Sequence, residues 1–186
     1  MLALRQAFFL KMEVLAVKVR TIAYSAILIA FGVVGGYFIY FPIGASKCTP
    51  VQHIINVLAA VLLGPGYAVI SAFCISFIRN ILGTGTLLAF PGSMVGAFLA
   101  GLLYKKTNSK IAAAAGEVFG TGILGALIAW PVARFILNSD AAAFFFVGPF
   151  LLNTVVGSVI ALVVLKAVDF AKGSVNIKEG RKENSQ

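Results

Sequence analysis

Long apolar runs alternate with short breaks of proline, glycine and charge along nearly the whole chain. Reading those breaks as punctuation predicts six helical segments. The first covers about Thr21 to Tyr40 and ends at Phe41-Pro42. A second, about Val51 to Leu63, stops at Gly64-Pro65-Gly66. The third spans about Tyr67 to Leu82 and closes at Gly83-Thr84-Gly85-Thr86. The fourth, about Leu87 to Tyr104, meets Lys105-Lys106. The fifth runs from about Ile111 to Leu137, interrupted at Trp130-Pro131. The sixth runs from about Ala141 to Leu165, with Pro149 near its start.

Runs of about 20 apolar residues have the length of a bilayer crossing. Composition agrees: 60% of residues are hydrophobic, 11% are charged, and mean hydropathy is +1.00. A soluble domain carries roughly 25% charged residues. The expected fold class is therefore all-α, a polytopic membrane protein with six transmembrane helices. Residues 51–82 read either as two full spans or as a re-entrant hairpin. The expected organisation is a leader over 1–20, a membrane domain over 21–168 and a polar, disordered tail over 169–186. Arg5, Lys11, Glu13 and Lys18 break any uncharged signal-peptide core in the leader.

The net charge of +9 bears on topology rather than on nucleic acid, because of where it falls. Twelve of the 15 lysines and arginines lie in the leader, in the loop after the fourth segment, or from Lys166 onward. Only Lys47, Arg79 and Arg134 belong to the other side. By the positive-inside rule both termini are expected to be cytoplasmic and FPIGASKCTPVQHIINV, residues 41–57, to face outward. Small residues recur four apart at Ala26/Ala30, Gly32/Gly36, Gly92/Gly96 and Gly116/Gly120, a spacing that lets helix backbones meet in lipid.

Polar side chains inside apolar helices turn toward protein or a cavity. Gln52, His53 and Asn56 share one helix face, as do Ser76, Arg79 and Asn80. Trp130 and Arg134 share a face late in the fifth segment, and Asn153 lies early in the sixth. All belong to the outer half, so they describe a polar pocket near one mouth of the bundle. Lys47 sits in the adjoining loop. Glu117 lies deeper, with Thr121 on its face at i+4, as a proton or sodium relay or as one half of a structural pair. HExxH, GxSxG and P-loop patterns are absent, so the sequence offers no catalytic residues. Cys48 and Cys74 make no CxxC, and no metal or cofactor pattern is present.

The segments FPIGASKCTPVQHIINVLAAVLLGPGYAVISAF and RNILGTGTLLAFPGSMVGAFLAGLLY resemble the ThiW family over roughly Lys18 to Val168. Members are substrate-binding (S) components of energy-coupling factor (ECF) transporters, assigned to the thiazole precursor of thiamine. The resemblance implies a six-helix bacterial cell-membrane protein without enzymatic activity. Its ligand would be hydroxyethylthiazole, bound near the outer face. Loops around residues 41–50 and 83–87, the latter with Thr84 and Thr86, would close over it. Stacking on Trp130 or Phe90 would hold the ring. His53, Asn56 or Asn153 would meet its nitrogen and hydroxyl, and Arg79, with Asn80 beside it, suits a phosphate or carboxylate better. Ala26 and Ala30, within AYSAILIA, match the motif that docks on the ECF transmembrane coupling subunit, with two ATPase subunits supplying energy. Competing readings are an S component for another small vitamin or anion, an ion-coupled carrier using Glu117, and a membrane-embedded enzyme using His53 and Arg79.

Overall fold

Proline and glycine set the helix boundaries close to where the sequence predicts them. The computed structural model describes residues 2–43, 46–140, 142 and 144–183. Helix α1 (Leu2–Phe38) leads into a ribbon of two antiparallel strands, β1 (Phe41–Ile43) and β2 (Ser46–Cys48). Then follow α2 (Pro50–Leu63), α3 (Pro65–Ile81), α4 (Ala89–Thr107), α5 (Lys110–Phe119), α6 (Ala126–Phe135) and α7 (Val147–Glu183). A π-helical stretch, Gly120–Gly125, joins α5 to α6. Among the described residues the result is six helical rods, all-α but for the ribbon of three-residue strands.

Local chemistry explains the ends. Pro50 and Pro65 each occupy the first turn of their helix, where a missing N–H costs nothing. Gly64 turns the chain between α2 and α3 at φ 87°, a conformation glycine adopts without strain. Ser109 accepts a hydrogen bond from the Ala112 N–H to start α5. Lys105 and Lys106 occupy the last turn of α4, where the helix dipole favours cations.

Among the described residues, three helical stretches are long and apolar enough to cross a membrane: Leu15–Phe38, Lys110–Phe135 and Val147–Ala171. Their outward faces carry large apolar side chains in water-accessible positions, including Phe31, Val163 and Phe170. Such a surface is suited to lipid contact. Helices α2 and α3, at 14 and 17 residues, reach only about 21 and 26 Å at 1.5 Å per residue. Helix α2 is the central rod, packed against α1, α3, α4, α5 and α7. Its Val57, Ala59 and Ala60 are fully buried.

Helix extends past the apolar runs at both ends: α1 begins at Leu2 and α7 runs to Glu183. One difference from the sequence reading concerns the fifth segment. Helix α6 passes through Pro131 to Phe135, and the irregularity expected at Trp130-Pro131 lies instead at Gly120–Gly125.

Glycine explains that displacement. A Cβ on Gly120 would lie 2.7 Å from the Gly96 Cα, and one on Gly116 would lie 2.8 Å from the Leu99 carbonyl oxygen. Helices α4 and α5 therefore meet backbone to backbone, through the two glycine pairs whose spacing the sequence displays. The wide π turn sits where this contact is tightest.

Candidate binding cavity

The antiparallel course of the rods brings the start of α2, the end of α3 and the starts of α4 and α7 to one end of the bundle. A cavity of about 550 Å³ opens among them. Its polar wall comes from Thr49 just before α2, Gln52 and His53 on α2, Arg79 on α3, and Ser93 on α4. The Gly83–Thr86 loop forms the rim, and Phe145, Phe146 and Phe150 form an apolar wall opposite. Thr121, from the π turn, reaches the floor. A volume of this size takes a small organic molecule.

The ribbon is fastened to this end. Cys48 is buried, and its thiol lies 3.9 Å from the Pro149 carbonyl oxygen at the start of α7, as a weak donor. Burial pushes the Cys48 thiol above its ordinary value.

Arg79 is only 4% exposed. Its Nη1 donates to Thr49 Oγ1 at 3.0 Å and to Gln52 Oε1 at 2.8 Å, and its Nη2 donates to the Thr84 carbonyl at 3.0 Å. All three acceptors are neutral, and among the described residues Arg79 has no carboxylate partner. The contacts tie α2, α3 and the rim loop together. Thr84 and Gly85 reinforce the loop by donating their N–H groups to the Arg79 carbonyl, each at 2.9 Å.

A hydrogen-bond chain continues from Arg79 into the bundle. Gln52 Nε2 donates to Ser76 Oγ at 2.7 Å and to Ser93 Oγ at 2.9 Å. Asn56 Nδ2 donates to Ser93 Oγ at 3.0 Å and to Glu117 Oε1 at 2.9 Å. Glu117 is completely buried. Its Oε1 also lies 3.0 Å from the Thr121 hydroxyl and 2.8 Å from His53 Nδ1. The partner for Glu117 that the sequence leaves open is His53.

The sequence-predicted residues separate into groups. His53, Arg79, Thr84, Thr86 and Asn153 line the cavity. Asn153 Oδ1 is buried there with no hydrogen-bond partner. Asn56 stands behind the wall and holds Glu117. Asn80 braces the rim from outside, donating to the Ser76 and Thr86 carbonyls. Phe90 packs with its ring 5.6 Å from that of Phe73 and is not part of the lining. Trp130 packs with Ala126, Ala133 and Phe146, apart from the cavity surface. The Lys47 side chain lies outside the described residues. Ala26 and Ala30 are both exposed on α1, away from the cavity.

Sequence reasoning missed Ser93 and the three phenylalanines as wall residues. Ser93 carries a usable signal, since it is the polar residue in the first turns of α4 and shares a helix face with Gly96. The phenylalanines carry none, because an aromatic cluster in an apolar run also suits lipid.

Apolar helices of bilayer-crossing length around a polar cavity suit a membrane protein with a small-molecule ligand. The sequence pattern of the thiamine-precursor transporter proteins (ThiW) matches residues 22–170, and the chain belongs to that family. No curated relative matches the chain. Its class is thus a transporter with a small-molecule substrate, a thiamine precursor.

Proposed function

We propose that the protein is the substrate-binding subunit, the S component, of an ECF-type importer, and that its ligand is hydroxyethylthiazole. The observation that carries this reading is the cavity. One wall offers hydrogen-bonding groups from His53 and Arg79, the other offers three phenylalanine rings, and Asn153 of α7 adds a further polar group to the lining. A small aromatic ring bearing one hydroxyl needs both kinds of wall.

In this reading residues 21–168 form the membrane domain, with six spans in a bacterial cell membrane. The leader 1–20 and the tail 169–186 are cytoplasmic extensions. Charge supports that orientation: Lys105, Lys106, Lys110 and Lys166 cluster at the end opposite the cavity. The cavity then opens outward, and the loop 83–87 and the ribbon cover it once ligand is bound. Transport energy comes from two ATPase subunits through the coupling subunit, which docks on the exposed face of α1 around Ala26 and Ala30. The chain itself has no P-loop.

The test is binding followed by uptake. Protein in lipid nanodiscs should bind hydroxyethylthiazole saturably by calorimetry. Proteoliposomes should accumulate it only when the ECF module and ATP are present. Uptake by the isolated chain under an ion gradient would replace this reading with an ion-coupled carrier. Turnover of the thiazole or of a lipid would replace it with an enzyme.

A further inference from the structure

Glu117 takes no part in the cavity surface, yet its contacts determine what that surface offers. We infer that Glu117 is a positioning residue: it holds the proton of a neutral His53 on Nδ1 and so presents Nε2 to the ligand as a hydrogen-bond acceptor. The site then selects ligands that bring a donor, such as a hydroxyl. This inference rests on the thiazole reading only for the identity of the ligand.

The first observation is geometric. His53 Nδ1 lies 2.8 Å from Glu117 Oε1. Asn56 directs an amide hydrogen at that same oxygen from 2.9 Å, and the Thr121 hydroxyl lies 3.0 Å from both it and the Gly92 carbonyl. Because Oε1 already accepts from the Asn56 amide, the group it faces on His53 is N–H, while the other carboxyl oxygen, Oε2, is buried without a partner. The other ring nitrogen, Nε2, has no partner among the described residues and is not sealed off, while the ring lines the cavity.

The second observation is the direction of the chain from Arg79. Arg79 donates to the Gln52 carbonyl, and the Gln52 amide donates onward to Ser93. Asn56, also bonded to Ser93, points its amide at Glu117. The Gln52 amide thus turns its oxygen toward the guanidinium, and the Asn56 amide turns its nitrogen toward the carboxylate. One buried positive charge and one buried negative charge are balanced across a polarised bridge.

Charge balance then decides the state of His53. With neutral imidazole the buried cluster of Arg79, His53 and Glu117 carries no net charge. An imidazolium would leave one uncompensated positive charge in a low-dielectric, membrane-embedded site, which such a site disfavours. The other ion pairs, Arg134 with Asp140 and Lys110 with Asp169, are closed on themselves and involve exposed acids. They offer no compensation here.

Because His53 is the only histidine, ring-¹⁵N labelling reports it without ambiguity in the full chain in nanodiscs at neutral pH. The expected spectrum shows a protonated Nδ1 and a bare Nε2. Hydroxyethylthiazole should shift the Nε2 signal, and the analogue with a methyl ether in place of the hydroxyl should not. Wild-type protein should prefer the hydroxyl compound by about tenfold, the worth of one good hydrogen bond. In Glu117→Leu, which removes the acceptor facing Nδ1 at similar volume, that preference should collapse toward unity, with redistribution of the ring proton. A wild-type spectrum of Nε2–H tautomer or imidazolium overturns the inference, and needs no variant to fold. Retention of the hydroxyl preference in folded Glu117→Leu also overturns it. Absence of any thiazole binding would instead overturn the proposed ligand, leaving the spectrum to decide the tautomer.

Discussion

Gly36 on α1 is the socket for Arg79 on α3: a Cβ added to Gly36 would come within 2.9 Å of the guanidinium Nε. The close approach explains why the first helix carries a glycine at this level. Gly36→Leu should push Arg79 off Gln52 and Thr49, costing about 1–3 kcal/mol of stability as an overpacking change. The check is thermal unfolding in detergent alongside Gly66→Ala, where an added Cβ meets nothing within 4 Å. The Gly66 variant should stay within about 0.5 kcal/mol of wild type.

Arg79 holds the rim through three acceptors on different segments. Arg79→Met should leave the Gln52, Thr49 and Thr84 oxygens without their donor, at about 1–3 kcal/mol for each that stays buried. Hydrogen exchange at residues 83–86 should rise strongly while exchange in α5 changes little. Unaltered protection of the loop would show that the guanidinium does not hold it.

The aromatic wall separates two candidate stacking sets. Phe150→Ala should weaken thiazole binding about five- to tenfold, the range of one aromatic contact. Trp130→Ala should leave affinity within about twofold, since Trp130 packs behind Phe146 and not on the cavity. The reverse ranking by calorimetry would return Trp130 to the site.

Ala26 and Ala30 face outward from the bundle, whereas Gly32 and Gly36 on the same helix face inward. Ala26→Trp should therefore leave ligand binding and melting temperature unchanged and abolish ATP-driven uptake with the ECF module. Loss of binding as well would assign that face to the protein's own packing.

Cys48 gives a prediction with a definite sign. Burial raises its thiol above the ordinary 9.0, so folding favours the protonated form. The stability it contributes is full below about pH 9 and is lost as pH rises through the folded value. Maleimide labelling of Cys48 should be much slower than that of a free cysteine at pH 7 and should accelerate in denaturant. Fast labelling of the native protein would contradict its burial.

The helices were legible because proline and glycine punctuate the apolar runs at Gly64-Pro65 and Gly83–Thr86. The polar mouth was legible from helix faces, which group Gln52 with His53 and Asn56, and Ser76 with Arg79. What local spacing could not supply was the partner of Glu117, because His53 is 64 residues away in sequence. The π turn was hidden for a related reason, as it depends on the fit of Gly120 against Gly96 of another helix. Phe145, Phe146 and Phe150 escaped notice because neighbouring Phe144 is itself 75% exposed. The same residue type serves lipid on one side and cavity on the other.

The glycine contact between α4 and α5 reaches further than packing. Gly92 and Gly96 leave room for Thr121 and for the Glu117 carboxylate, the groups at and just below the floor. The depth of the cavity is therefore set from behind, by residues with no side chain to offer a ligand. One added methyl group on Gly96 would displace both Thr121 and Glu117 without altering any other wall. A search for specificity determinants confined to cavity-lining side chains would pass over Gly96, the position that fixes the cavity's dimensions.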